Sequence, residues 1–134
     1  VRWLLKKNLI TGKVLDFGCG KCKVLNDTVL AKDDFVESVD SYDPHFSPIP
    51  LVKGTYDTIL CSYVLNVVPV TEEKEILYRL QSLLLPHGYA YVSVRNDIVE
   101  EKGFQRKVVL PYLWEMKKTS YFRTYLLTPT SKLP

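Results

Sequence analysis

The chain has 134 residues, 46% of them hydrophobic and 25% charged, with a formal net charge of +3. That suits one globular domain over residues 1–134 and leaves no room for a second. No apolar run approaches the length of a membrane span, and the start, Val1 to Lys7, lacks a signal-peptide core, so neither a membrane anchor nor a secretory leader is expected.

Three cysteines, an odd number, do not suggest a disulfide framework and suit a reducing cytoplasm. Cys19 and Cys22 form a C-x-x-C, but Cys61, His45 and His87 stand at no ligand spacing, so no metal is expected. Basic residues gather at both ends. Residues 102–134 hold seven of them against Glu115 alone, interleaved with aromatics such as Tyr112, Trp114 and Tyr121. Such a face suits nucleic acid, but strands with aromatic inner faces and solvated lysines explain it more simply.

In chain order, Trp3, Leu4, Leu5, Leu9 and Ile10 predict a helix over residues 2–10, ended by Thr11-Gly12. Val14 to Phe17 predict a buried strand that runs into the turn Gly18-Cys19-Gly20. A helix follows from Lys23 to Ala31, then a strand from Phe35 to Val39 ending at Asp40. Pro44, Pro48 and Pro50 argue against regular structure over residues 41–56, where a doubly wound unit would place a helix and a third strand. An irregular loop is expected there, with a short edge strand around Leu51-Val52. Tyr56 to Ser62 is the next central strand. Thr71 is the expected N-cap of a helix with Ile76, Leu77, Leu80, Leu83 and Leu84 inward, stopped by Pro86. Tyr89 to Val94 is a strong strand, Asn96 to Gly103 a polar loop, and Lys107 to Leu110 with Tyr121 to Leu127 a closing antiparallel pair. The fold class is α/β: a Rossmann-like, mostly parallel sheet with helices on both faces, an antiparallel C-terminal pair and a shortened third unit.

Ligands of such sheets bind beyond the carboxyl ends of the strands. The first strand delivers Asp16, Gly18 and Gly20 there, and the glycines permit positive φ and close ligand approach. Asp16 narrows the choice of ligand: a carboxylate repels a dinucleotide pyrophosphate but holds the ammonium of S-adenosylmethionine. A nicotinamide dehydrogenase is the disfavoured alternative. The second strand delivers Asp40, suited to a ribose diol. The next central strand delivers Ser62, Tyr63 and, past the turn, Asn66; the fifth delivers Arg95, read as a surface residue. Asp57, at a strand start, is read as structural.

Val14-Leu15-Asp16-Phe17-Gly18-Cys19-Gly20, then Asp40, Tyr56-Asp57-Thr58-Ile59 and Leu84-Leu85-Pro86-His87-Gly88-Tyr89 resemble the class I S-adenosylmethionine-dependent methyltransferase series over residues 13–95. More narrowly, Tyr42-Asp43-Pro44-His45-Phe46 with Tyr63-Val64-Leu65-Asn66-Val67-Val68 resemble a bacterial group associated with DNA phosphorothioation systems. The resemblance implies S-adenosylmethionine as cofactor, held by Asp16, Gly18, Cys19, Gly20, Asp40, Ser41, Tyr42, Ser62 and Tyr63. Asp40 would bind the ribose hydroxyls, and Ser41 or Tyr42 would pack on the adenine. Cys22 stands where the family has a third glycine, and no third-strand acid is present for the adenine amino group.

No Asp/Asn-Pro-Pro-Tyr/Phe or Pro-Cys signature follows the central strand, which argues against methylation of DNA bases. A small-molecule acceptor is preferred, with Tyr63 and Asn66 the nearest polar candidates for catalysis. A binding module without turnover is the alternative.

Overall fold

The computed structural model describes residues 2–20, 28–98 and 105–134. The expectations for Lys21, Cys22, the helix start at 23–27 and the loop residues 99–103 lie outside the described residues. Six strands form one sheet in the order β2-β1-β3-β4-β6-β5. They are β1 (Gly12–Phe17), β2 (Val36–Tyr42), β3 (Tyr56–Ser62), β4 (Leu84–Arg95), β5 (Trp114–Lys118) and β6 (Phe122–Leu127). The first four run parallel, and β6 pairs antiparallel with both β4 and β5.

β1 is buried from Val14 to Phe17 because it lies inside the sheet between β2 and β3, and Asp16 is the one charged residue in that run. The long helix α2 (Val70–Leu83) packs Leu77, Leu80 and Leu83 on the face that carries Leu15, Ile59 and Val92. Helix α1 (Arg2–Lys6) covers the other face, where Leu4 and Ile10 meet Val14, Leu30, Leu60 and Tyr91. Residues 28–31, the described end of the next helix, are helical and lie on that second face through Leu30.

Several boundaries differ from the sequence expectations. The first helix ends at Lys6, because Asn8 takes a left-handed φ of 56° and the chain turns. Helix α2 starts after Pro69, whose carbonyl accepts the Glu72 N–H at 3.0 Å, so Thr71 is not its N-cap. Strand pairing resumes at Leu84, ahead of Pro86, and a bulge absorbs residues 85–88 before the ladder continues at Tyr89. Gly88 belongs in this bulge: a Cβ there would sit 2.9 Å from the Tyr56 carbonyl oxygen.

The closing antiparallel pair is β5 with β6, not residues 107–110 with β6. The alternation at 107–110 is real but has another cause. Val108 and Leu110 are buried beneath the α2 face while Val109 is exposed, without a ladder partner. Arg106 moors this segment, donating to the Val68 carbonyl at 2.7 Å and to Glu73 at 3.0 Å.

No strand forms at Leu51-Val52, and β2 is the edge of the sheet. The short 43–55 segment has another task. Gly54 and Thr55 donate their N–H groups to the Ser82 and Leu83 carbonyls, satisfying acceptors that the end of α2 leaves open.

Asp57 is structural, as the sequence suggests. It accepts the Lys13 N–H at 2.9 Å and meets His87 Nε2 at 2.7 Å, at the amino end of the sheet. Burial pushes its carboxyl up, but the Lys13 N–H and His87 prevail and hold it below the usual range. A depressed carboxylate stabilises the fold above its unfolded pKa, about 3.9, and that contribution is lost as pH falls through the folded value. Thermal melts from neutral to acid pH should therefore show a steeper acid loss for the native chain than for Asp57→Asn. Parallel curves would remove Asp57 from the acid response.

Candidate functional site

The strand order reverses at β1, with β2 on one side and β3 on the other, and a cavity of about 440 Å³ opens at their carboxyl ends. Asp16, Gly18, Cys19, Ser62 and Tyr63 line it, together with Arg2, Trp3, Val29, Leu30, Leu60, Ser93 and Phe122. The first five are residues the sequence singled out, and the structure brings them together on the inner wall. The sequence missed the outer one, which α1 and the start of β6 supply, because a residue distant in sequence carries no local sign of meeting a strand end.

The turn after β1 needs its glycines. Gly18 has φ +80° and a Cβ there would collide with the Val64 side chain, whereas at Gly20, with φ +61°, none of the described residues comes within 4 Å of a Cβ position. Gly18 and Cys19 both donate to the Tyr42 carbonyl, at 2.7 and 3.0 Å, and Gly20 donates to Asp43 Oδ2 at 3.0 Å. These are the amides that a phosphate-binding turn would aim at its ligand. Here β2 and the following loop engage all three. Two carboxylates, Asp16 and Asp43, flank the turn instead.

Asp43 is the functional candidate that residue spacing passed over. Its Oδ1 accepts the His45 and Phe46 N–H groups at 2.8 and 3.1 Å, an Asx-type turn that Pro44 favours. Burial raises its carboxyl, but the His45, Phe46 and Gly20 amides, aided by the His45 charge, hold it below the usual range. It is a carboxylate at neutral pH. The Asp-Pro step after Tyr42 was the available signal.

Asp40 does not share Asp16's face. Parallel partners project to the same side, and Asp40 pairs with Leu15 while Asp16 pairs with Ser41. Asp40 accepts the Tyr56 hydroxyl at 2.6 Å, and burial together with that bond raises the phenol. Tyr42 turns the same way: its ring stacks on Phe17 at 5.1 Å under the Arg79 guanidinium, 4.9 Å from the ring centre. Ser41 is buried, and its carbonyl accepts the Ser47 hydroxyl at 2.7 Å. Asp40, Ser41, Tyr42 and Gly20 are not cavity-lining residues, and Asp43 borders the cavity only through its bond to Gly20, outside the lining itself.

The two catalytic candidates separate. Asn66 is buried and fully engaged: its amide donates to the Arg106 carbonyl at 3.0 Å and its oxygen accepts the Arg95 N–H at 2.8 Å. It is a tie between loops. Tyr63 stands at the cavity with a left-handed φ of 64°, costly for an aromatic residue and held by its N–H on the Ser93 carbonyl at 2.8 Å. Arg95 is engaged by Asp97 through two hydrogen bonds at the surface. Cys61 is buried against α2, where burial and then the Asp16 carboxylate push its thiol up to about 12, which disqualifies it as a nucleophile. Among the described residues no group of three or more His, Cys, Asp or Glu is placed to hold a metal, and no helix is long and apolar enough to cross a membrane.

No protein-family model matches the chain. A protein of Escherichia coli K12, the uncharacterized protein YmfD, is 27% identical over 143 residues, covering 83% of this chain. The chain spans 64% of that relative's length. Among solved structures, a SAM-dependent methyltransferase from Archaeoglobus fulgidus superposes with a TM-score of 0.58 at 14% identity, over 82% of this chain and 61% of its own. Magnesium protoporphyrin IX methyltransferase from Synechocystis PCC 6803, with bound SAH, superposes with a TM-score of 0.56 at 16% identity, over 93% of this chain and 78% of its own. The fold is therefore the Rossmann-like α/β sheet of class I methyltransferases, mostly parallel and closed by an antiparallel pair.

Proposed function

We propose that the chain is an S-adenosylmethionine-dependent methyltransferase domain acting on a small-molecule acceptor. The observation that carries this reading is the chemistry of the glycine turn. The amides of Gly18, Cys19 and Gly20 are engaged within the protein, and the charged groups that flank the turn are the Asp16 and Asp43 carboxylates. Such a turn repels a pyrophosphate and attracts a cation. The likeness to methyltransferase folds supports the same reading.

S-adenosylmethionine supplies a methyl group on a sulfonium, which leaves to an acceptor lone pair as its bonding electrons return to sulfur. The residues present fit that cofactor. Asp16 takes the methionine ammonium, Gly18 lets the chain pass close to the ligand, and the open space at Gly20 admits the ribose beside Asp43. Ser62, Cys19 and Tyr63 complete the wall of the cavity. Tyr63, held in its strained backbone, faces the transfer region and orients the acceptor there; catalysis of this kind is largely alignment. Domain extent 1–134 and a cytoplasmic setting remain part of the proposal. The narrower kinship with the phosphorothioation-associated group rests on residues 42–46 and 63–68 alone.

Calorimetric titration with S-adenosylhomocysteine and with NAD tests the reading. Binding of the first and none of the second is expected; the reverse would make the domain a dinucleotide binder. Cofactor binding with no methyl transfer to any small-molecule or nucleic-acid acceptor would favour the module without turnover.

A further inference from the structure

The cavity is polarised. Its floor carries the Asp16 carboxylate, whereas its outer wall carries the Arg2 guanidinium and the rings of Trp3 and Phe122. A second cation stands beside that wall, with the Lys117 ammonium 5.0 Å from the centre of the Trp3 ring. Tyr63 adds a further ring on the strand side.

These five groups come from α1, the β3 turn, β5 and β6, so the mouth is assembled from separate parts of the chain. Aromatic walls accept a flat apolar body, and cations beside those walls, Arg2 in the lining and Lys117 on the Trp3 ring, favour an anionic substituent. At about 440 Å³, the space sits near the small end of ligand pockets, typically roughly 300–1,000 Å³. Once the methionine end of a cofactor occupies the Asp16 side, only a compact second molecule fits.

We infer that the methyl acceptor is a small planar aromatic anion, bound between Trp3, Phe122 and Tyr63 with its negative group toward Arg2 and Lys117. This rests on the methyltransferase reading for the word acceptor, but the binding preference does not depend on turnover. The opposed charges then sort the two ligands: the cationic cofactor end goes to the floor and the anionic acceptor to the mouth. Each is excluded from the other's place.

The test uses 4-hydroxybenzoate, its neutral amide 4-hydroxybenzamide, and the cationic tyramine as probes. Each is titrated calorimetrically with and without saturating S-adenosylhomocysteine. The benzoate is expected to bind at least about tenfold more tightly than the amide, and tyramine not at all. Arg2→Ala and Lys117→Ala should each erase most of the preference for benzoate over amide while S-adenosylhomocysteine affinity is retained. Arg2→Lys should keep part of it. Equal binding of benzoate and amide, tighter binding of tyramine, absence of any probe binding, or a preference untouched by both alanine variants overturns the inference. Failure of S-adenosylhomocysteine to bind would sink the cofactor reading instead, and the probe series without it still decides the charge preference.

Discussion

Asp43→Ala is expected to weaken S-adenosylhomocysteine binding by roughly thirty- to thousandfold, about 2–4 kcal/mol, while Asp40→Ala leaves it nearly unchanged. The two acids lie three residues apart but answer to different geometry. Asp43 reaches the Gly20 amide and is held ionised by backbone N–H groups, which puts a charged acceptor beside the turn where the proposed cofactor would lay its ribose. Asp40 projects to the other face of β2 and is engaged by Tyr56. Because Asp43 also shapes its own loop, adenosine is the control ligand. It carries the ribose without the methionine, and should lose affinity by the same factor. Calorimetry on both variants with both ligands reads this directly. If Asp40→Ala loses affinity and Asp43→Ala does not, the ribose contact returns to Asp40 and the strand placement is wrong.

Asn66→Ala should lower stability by about 2–4 kcal/mol, a fall in melting temperature on the order of 10 °C. The side chain closes a buried connection: it accepts the Arg95 N–H at the end of β4 and donates to the Arg106 carbonyl. Its own carbonyl accepts the Arg106 N–H at 2.9 Å. Removing the amide leaves a donor and an acceptor without water or partner, which costs more than the net value of the bonds. Cofactor affinity in the folded fraction should hold. A variant with the native melting temperature but no methyl transfer would make Asn66 catalytic after all.

Asn66 also shows what the sequence could and could not convey. The polar residue just past a central strand is a fair guess for catalysis, yet its role depends on Arg106, forty residues away. The strands β1, β3 and β4 were legible because they lie between neighbouring strands, which makes them continuous apolar runs. The pair at the C-terminal edge was misplaced because Val108 and Leu110 alternate for reasons of burial rather than pairing. That Asp16 and Gly18 meet at the cavity was legible, since strand, acid and glycine form one local unit. Asp43 was not, because whether Asp40 or Asp43 faces the turn depends on which side of β2 each projects. One residue of register inverts that.

The bare flank of β2 has a consequence for how the molecules coexist. Among the described residues no further strand lies beside β2, and such an edge offers its backbone groups to a passing extended chain, including another copy of itself. Glu37 and Asp40 stand exposed along it, and prolines at 44, 48 and 50 interrupt the chain directly after it. Two such edges approaching each other would set carboxylates against carboxylates. Asp40, besides its bond to the Tyr56 hydroxyl, thus also serves as a guard against the growth of one sheet into the next.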